Sequence, residues 1–104
     1  MNSEKYEIIY LPLFYNDLDK IINYIKNELN NVIAANNLLD EIYKEINERI
    51  YNPKSYEKYN STRKRKNTYY RIYVKKYTIF YVVRDSKIEV RRILYNKRDF
   101  SNLI

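Results

Sequence analysis

The chain contains no cysteine and no histidine. Without thiols there is neither a disulfide nor a thiolate metal site, and without imidazole the usual zinc ligands are missing altogether. No metal and no cofactor are therefore expected. Any proton transfer would fall to Tyr, Lys, Asp or Glu. Glycine is absent too. The sequence is rich in Lys, Asn, Ile and Tyr, whose codons are AT-rich, so base composition accounts for the missing glycine and little functional meaning attaches to it. Long apolar runs are also lacking. Met1 to Tyr10 mixes charged with apolar side chains instead of forming a signal core, and no later stretch approaches the ~20 apolar residues of a membrane span. A cytoplasmic protein without membrane contact is expected.

What is present points to one folded domain over residues 1–104. A chain of 104 residues holds a single modest core, and 45% hydrophobic content in periodic positions argues against disorder despite 32% charged residues. The net charge of +7 is unevenly placed: residues 1–50 carry five basic and nine acidic side chains, residues 51–104 fifteen and four. Two readings are open. The basic half either keeps a small protein soluble or forms a surface for an anionic partner, such as RNA, DNA, a ribosome or an acidic protein.

The order of elements follows from periodicity. Tyr6 to Leu11 is β-branched and aromatic and ends at Pro12, which predicts a short strand. Phe14, Leu18, Ile21, Ile22, Ile25 and Leu29 lie on one helical face, with Asp17, Lys20, Asn23 and Lys26 opposite, predicting a helix over 14–29. Leu29-Asn30-Asn31 reads as a tight turn, since Asn tolerates the left-handed region and caps helices well. Ala35, Leu38, Leu39, Ile42, Ile46 and Ile50 then predict a second helix over 32–51, completing a helical hairpin. Asn52-Pro53 ends it. Residues Lys54 to Asn67 are polar and aperiodic, hence a loop, and include the run Arg63, Lys64, Arg65, Lys66, either a solvated cluster or a binding element.

Three strands are expected at Thr68–Val74, Tyr77–Val83 and Lys87–Ile93, joined by short hairpins. The Lys75-Lys76 connection lacks the Gly or Asn that a primed turn prefers and is expected to be strained or bulged. The fold class is thus α+β: an N-terminal strand, a helical hairpin, then a three-stranded antiparallel meander, with the helices packed on one sheet face. Period-two alternation puts Tyr70, Ile72 and Val74 under the helices and Tyr69, Arg71 and Tyr73 on the other face. Tyr77–Val83 is apolar on both faces and should be central, so something besides the helices must cover its second face. Tyrosines flanking Arg71 either stack bases and bind phosphates or replace Phe and Leu in a tyrosine-rich chain.

At these residues the chain resembles a known family. YNDLDKIINYIKNELNNVIAANNLLDEI, with Asp17-Leu18, Tyr24-Ile25 and the N-x-x-A-A element Asn31, Ala34, Ala35, is similar to the helical hairpin of RelE/ParE toxins. YYRIYVKKYTIFYVV resembles their Y-R…Y-x-I-x-Y hairpin, and VRRILYNKRDF their closing R-I-L-x-x-x-R-D motif. The likeness covers about Tyr6 to Asp99. It implies the toxin of a type II toxin–antitoxin pair that arrests growth, bound by a small acidic antitoxin encoded alongside in a hetero-oligomer. Its target would be DNA gyrase or the ribosome with its mRNA.

The ribonuclease branch of such toxins needs a proton acceptor, cations for the developing charge on phosphorus and a donor to the leaving oxygen. Arg71 and Arg98 fit that branch's basic positions, but as cations and not as bases, with Lys97 a further candidate. Two positions depart from it: Thr78 stands where an arginine is frequent, and Ile104 near the expected C-terminal tyrosine. Tyr95 occupies a place where many relatives carry histidine. The resemblance therefore leans to a ParE-like, non-nuclease gyrase inhibitor, with a RelE-like ribosome-dependent mRNA endoribonuclease as the alternative. Target or antitoxin binding is expected to use Tyr69, Arg71, Tyr73, Tyr95 and the Arg63–Lys66 run, with Arg71 and Arg98 close together on the open sheet face.

Overall fold

The computed structural model describes residues 4–60, 66–98, 100 and 103. Strand β1 (Glu7–Tyr10) leads into helix α1 (Pro12–Asn23), a π-helical turn (Tyr24–Glu28) and helix α2 (Val32–Asn47). A 3-10 turn at Pro53–Ser55 precedes β2 (Tyr69–Val74), β3 (Tyr77–Arg84) and β4 (Lys87–Tyr95). The sheet runs β1-β4-β3-β2, with β1 parallel to β4 and the other pairs antiparallel. The expected α+β order holds, and both β3 and β4 are interior strands.

Local chemistry explains the boundaries. Pro12 opens α1, where its missing N–H costs nothing. Asn30 sits at φ 50°, and the Asn31 side chain accepts the Ala34 N–H at 2.9 Å to cap α2. The two stripes then pack on the sheet through Phe14, Leu18, Ile22 and Ile25 from the first segment and Ala35, Leu38, Ile42 and Ile46 from the second. Full burial of one such aliphatic or phenyl side chain contributes about 1.5–3 kcal/mol.

Three expectations need correction. Leu29, placed on the core stripe by helical spacing, is 55% exposed. The cause is the π turn, in which the Leu29 N–H bonds to the Tyr24 carbonyl and the Asn31 N–H to that of Ile25, so the widened turn carries Leu29 past the buried face. The second helix stops at Asn47, and Ile50 instead accepts the Tyr6 N–H at 2.8 Å, which starts β1 beside it. The loop before the sheet is also partly ordered, because Lys58 bridges Tyr70. The Lys75-Lys76 turn does carry strain: Lys75 lies at φ 52°, a region a lysine enters at a cost. The sheet's irregularity lies elsewhere, between Phe80 and Tyr81, where β4 spends one extra residue, Arg91.

An aromatic cluster ties β1 to the helices. The Tyr10 ring lies 5.4 Å from Phe14, 5.8 Å from Tyr15 and 5.6 Å from Tyr43. Burial first, then the neighbouring Tyr43 and Tyr15, pushes the Tyr10 phenol from 10.0 up to about 12. The unfolded chain therefore loses that proton first. Stability from this site is complete below pH 10 and declines as pH rises toward 12. Urea titrations across that interval should show a shallower decline for Tyr10→Phe than for the parent; equal slopes would mean that Tyr10 does not carry the linkage.

Candidate functional site

The outer sheet face, away from the helices, is built from β2 and the segment before it. Tyr59 N donates to the Tyr69 carbonyl at 2.8 Å and Arg71 N to that of Glu57 at 3.0 Å, so residues 57–59 lie along the β2 edge. This turns Tyr59 onto the sheet, edge-on to Phe80 at 5.3 Å, with Phe100 at 5.1 Å from the same ring. The second cover required by the doubly apolar β3 thus comes from the chain itself.

Tyr69, Arg71 and Tyr73 share this face, as alternation predicts. Arg71 Nε donates to Glu57 Oε2, and the Tyr73 hydroxyl donates to the same oxygen at 3.2 Å. The guanidinium lies 5.2 Å from the Tyr73 ring and 5.6 Å from that of Tyr59. Burial and the Glu57 hydrogen bond raise the Tyr73 phenol above its ordinary value, so it remains a proton donor. Farther along, Arg91 donates to the Tyr69 hydroxyl at 3.3 Å and to Glu89 at 2.7 Å.

The remaining candidates lie elsewhere. Tyr95 pairs with Tyr77 across the strands, ring centroids 5.9 Å apart, and opens onto the helix side. There it lines a cavity of about 580 Å³ with Lys20, Ile21, Tyr24, Leu29, Lys76 and Tyr77. Lys97 borders an adjoining cavity with Lys75, Lys76, Tyr95 and Asn96. Arg98 lines a third with Asp17, Lys20 and Arg92, at the α1 edge of β4. Arg71 is on the opposite edge strand, two strands away and paired with Glu57. The expected Arg71–Arg98 pairing is therefore not formed; the register puts Phe80 and Arg92, not Arg98, across from Arg71. Lys66 is exposed, while Arg63, Lys64 and Arg65 lie outside the described residues, as does Ile104.

Two partly buried polar contacts hold these surfaces in place. Asp17 Oδ2 and Oδ1 accept Arg92 Nε at 2.7 Å and Nη2 at 2.9 Å, and Oδ2 also accepts the Ile93 N–H at 3.1 Å. The carboxylate thereby seals the β4 edge beyond the end of β1, and its hydrogen bonds raise the Arg92 pKa further. Thr78, 1% exposed, donates to Asn96 Oδ1 at 2.5 Å, while Asn96 N donates to the Lys76 carbonyl at 2.8 Å. Glu57, Tyr59 and Asn96 were not singled out by the sequence. Each acts through a partner far away in the chain, a relation that periodicity does not encode.

Residues 8–100 match the family profile described as ParE toxin of type II toxin-antitoxin system, parDE. The chain is a toxin of the RelE/ParE superfamily. Within that superfamily it belongs to the ParE family of type II toxin–antitoxin toxins. Among solved structures, the RelB-RelE antitoxin-toxin complex from Methanococcus jannaschii is similar at 24% identity and a TM-score of 0.47, covering 86% of this chain and 91% of that one. No curated protein matches the chain significantly.

Proposed function

We propose that this chain arrests growth in the cytoplasm as a non-nuclease, ParE-like inhibitor of DNA gyrase, and that a small acidic antitoxin encoded beside it holds it inactive in a hetero-oligomer. The observation that carries this reading is the dispersal of the candidate phosphate-binding cations. Arg71 sits on the outer face, Lys97 beside the helix-side groove and Arg98 at the far sheet edge. Thr78, at the position of a frequent arginine in the ribonuclease branch, is buried against Asn96. The basic second half suits an acidic, partly disordered binder that folds on contact.

One arrangement favours the second reading, a ribosome-dependent mRNA endoribonuclease. Glu57, Arg71 and Tyr73 bring a carboxylate, a guanidinium and a phenol together on the outer face, a proton acceptor, a cation and a donor. The deciding experiment adds purified toxin to a gyrase supercoiling reaction and, separately, to a translation reaction programmed with a defined message. Inhibited supercoiling or trapped cleaved DNA with intact message is expected. A cut message whose cutting is lost in Arg71→Ala would replace the gyrase reading with the ribonuclease one.

A further inference from the structure

Two arginines of the sheet hold their carboxylates in opposite ways. Beside Arg92, the Asp17 side chain is 10% exposed against 15% for the arginine, and its carboxylate also accepts the Ile93 N–H. Such a carboxylate is structural, since removing it strands a charge inside the protein. At the other pair Glu57 is 51% exposed and Arg71 28%, so here the carboxylate lies farther toward water than its arginine. An ion pair so open to solvent is worth little, and its members exchange partners easily.

Strand register brings Glu57 to this place. Arg71 N donates to the Glu57 carbonyl, Tyr59 N to that of Tyr69, and Lys58 bridges Tyr70. Glu57 is therefore directly across from Arg71 and diagonal to Tyr73 on the outer face. Its Oε2 accepts both the Arg71 Nε–H and the Tyr73 hydroxyl, the two donors that a phosphate oxygen would meet there. The Tyr73 and Tyr59 rings lie 5.2 and 5.6 Å from the guanidinium, which steadies the cation and offers flat surfaces on which bases stack. The Glu57 backbone is tied to β2, whereas its side chain turns about its own bonds. The carboxylate thus leaves Arg71 without unpairing residues 57–59.

We infer that Glu57 is a built-in competitor for a nucleic-acid phosphodiester at Arg71: it holds the guanidinium and the Tyr73 phenol in the free protein and swings aside when a strand binds. The inference holds under either target reading above, because DNA gyrase and the ribosome both present nucleic acid to the toxin. Glu57 then sets how tightly the outer face binds. An acidic peptide would meet the same cation but has no bases for the flanking rings.

Fluorescence anisotropy with labelled oligothymidylate and oligouridylate tests this on the full chain. Glu57→Gln keeps the side-chain shape and an acceptor oxygen while removing the charge, and it is expected to tighten binding of both strands about fivefold, the worth of one exposed ion pair. Asp40→Asn removes an equal charge from the exposed side of α2 and is expected to change binding less than about 1.5-fold, because salt screens it at that distance. Arg71→Gln is expected to weaken binding, and adding Glu57→Gln to it to recover nothing. A gain confined to one strand type would assign the phosphodiester to DNA or to RNA. Unchanged or weaker binding in Glu57→Gln would make Glu57 a clamp that positions Arg71 and would overturn the inference. So would a gain that survives Arg71→Gln or is matched by Asp40→Asn, an equal or larger gain with labelled oligoglutamate, or failure of parent and variant alike to bind either oligonucleotide.

Discussion

Replacing Asp17 by alanine is expected to lower folding stability by about 3–5 kcal/mol, because it leaves the Arg92 guanidinium buried without its counter-charge. The pair is well shielded, with side-chain exposures of 10% for Asp17 and 15% for Arg92. The same substitution strips the Ile93 N–H of its acceptor, an added cost at a sheet edge. For a domain of this size the melting temperature should fall by roughly 15–30 °C. Asp17→Leu combined with Arg92→Met should recover most of the loss, since an apolar pair needs no compensating charge. Thermal and urea denaturation of the three proteins would decide it; a loss under about 1 kcal/mol in Asp17→Ala would show that water already screens the pair.

The second large effect is expected at Tyr81. Its ring is fully buried and stacks on Tyr70 at 5.2 Å, and its hydroxyl donates to the Pro53 carbonyl at 2.6 Å. Burial raises its phenol well above the ordinary value, so the proton that makes this bond is held throughout the physiological range. Tyr81→Phe should cost about 1–3 kcal/mol, the penalty of a buried acceptor left without a donor. Tyr81→Ala should cost about 3–5 kcal/mol through the cavity it opens. Pro53 anchors the stretch that carries Glu57 and Tyr59 to the outer face, so Tyr81→Phe should also loosen the Arg71 contacts. Faster hydrogen exchange at Tyr59 and Arg71 would register this; unchanged exchange there would mean that the segment is held by the β2 edge alone.

The sequence disclosed whatever repeats at a fixed interval. Phe14, Leu18, Ile22 and Ile25 and then Ala35, Leu38, Ile42 and Ile46 lie in the core because helical spacing put them on one face. The split of Tyr70, Ile72 and Val74 from Tyr69, Arg71 and Tyr73 followed from the pleat. Contacts between distant segments were hidden. Asp17 reads locally as a solvent-facing helix residue, and only the meeting of α1 with β4 gives it Arg92 as a partner. Glu57 and Tyr59 lie in an aperiodic stretch whose order comes from hydrogen bonding to β2. Leu29 misled because a π turn leaves no mark in the apolar spacing, so a position that looks like core instead lines the helix-side cavity. For the candidate site, residue types were legible and their grouping was not: Tyr95 and Lys97 belong to one surface, Tyr69, Arg71 and Tyr73 to another.

The parallel pairing of β1 with β4 bears on how the protein comes into being on the ribosome. Glu7 through Tyr10 bond with Lys87 through Val90, so the first strand made waits for the last. While those later residues are still inside the ribosomal tunnel, β1 has no neighbour in the sheet and Asp17 no arginine to hold. The helical hairpin, whose contacts are local, can form early; the sheet beneath it cannot close until nearly the whole message has been read. A chain cut short before Lys87 would carry an apolar hairpin with neither β1's mate nor Tyr95 of the helix-side cavity, making it material for proteolysis instead of a half-active poison.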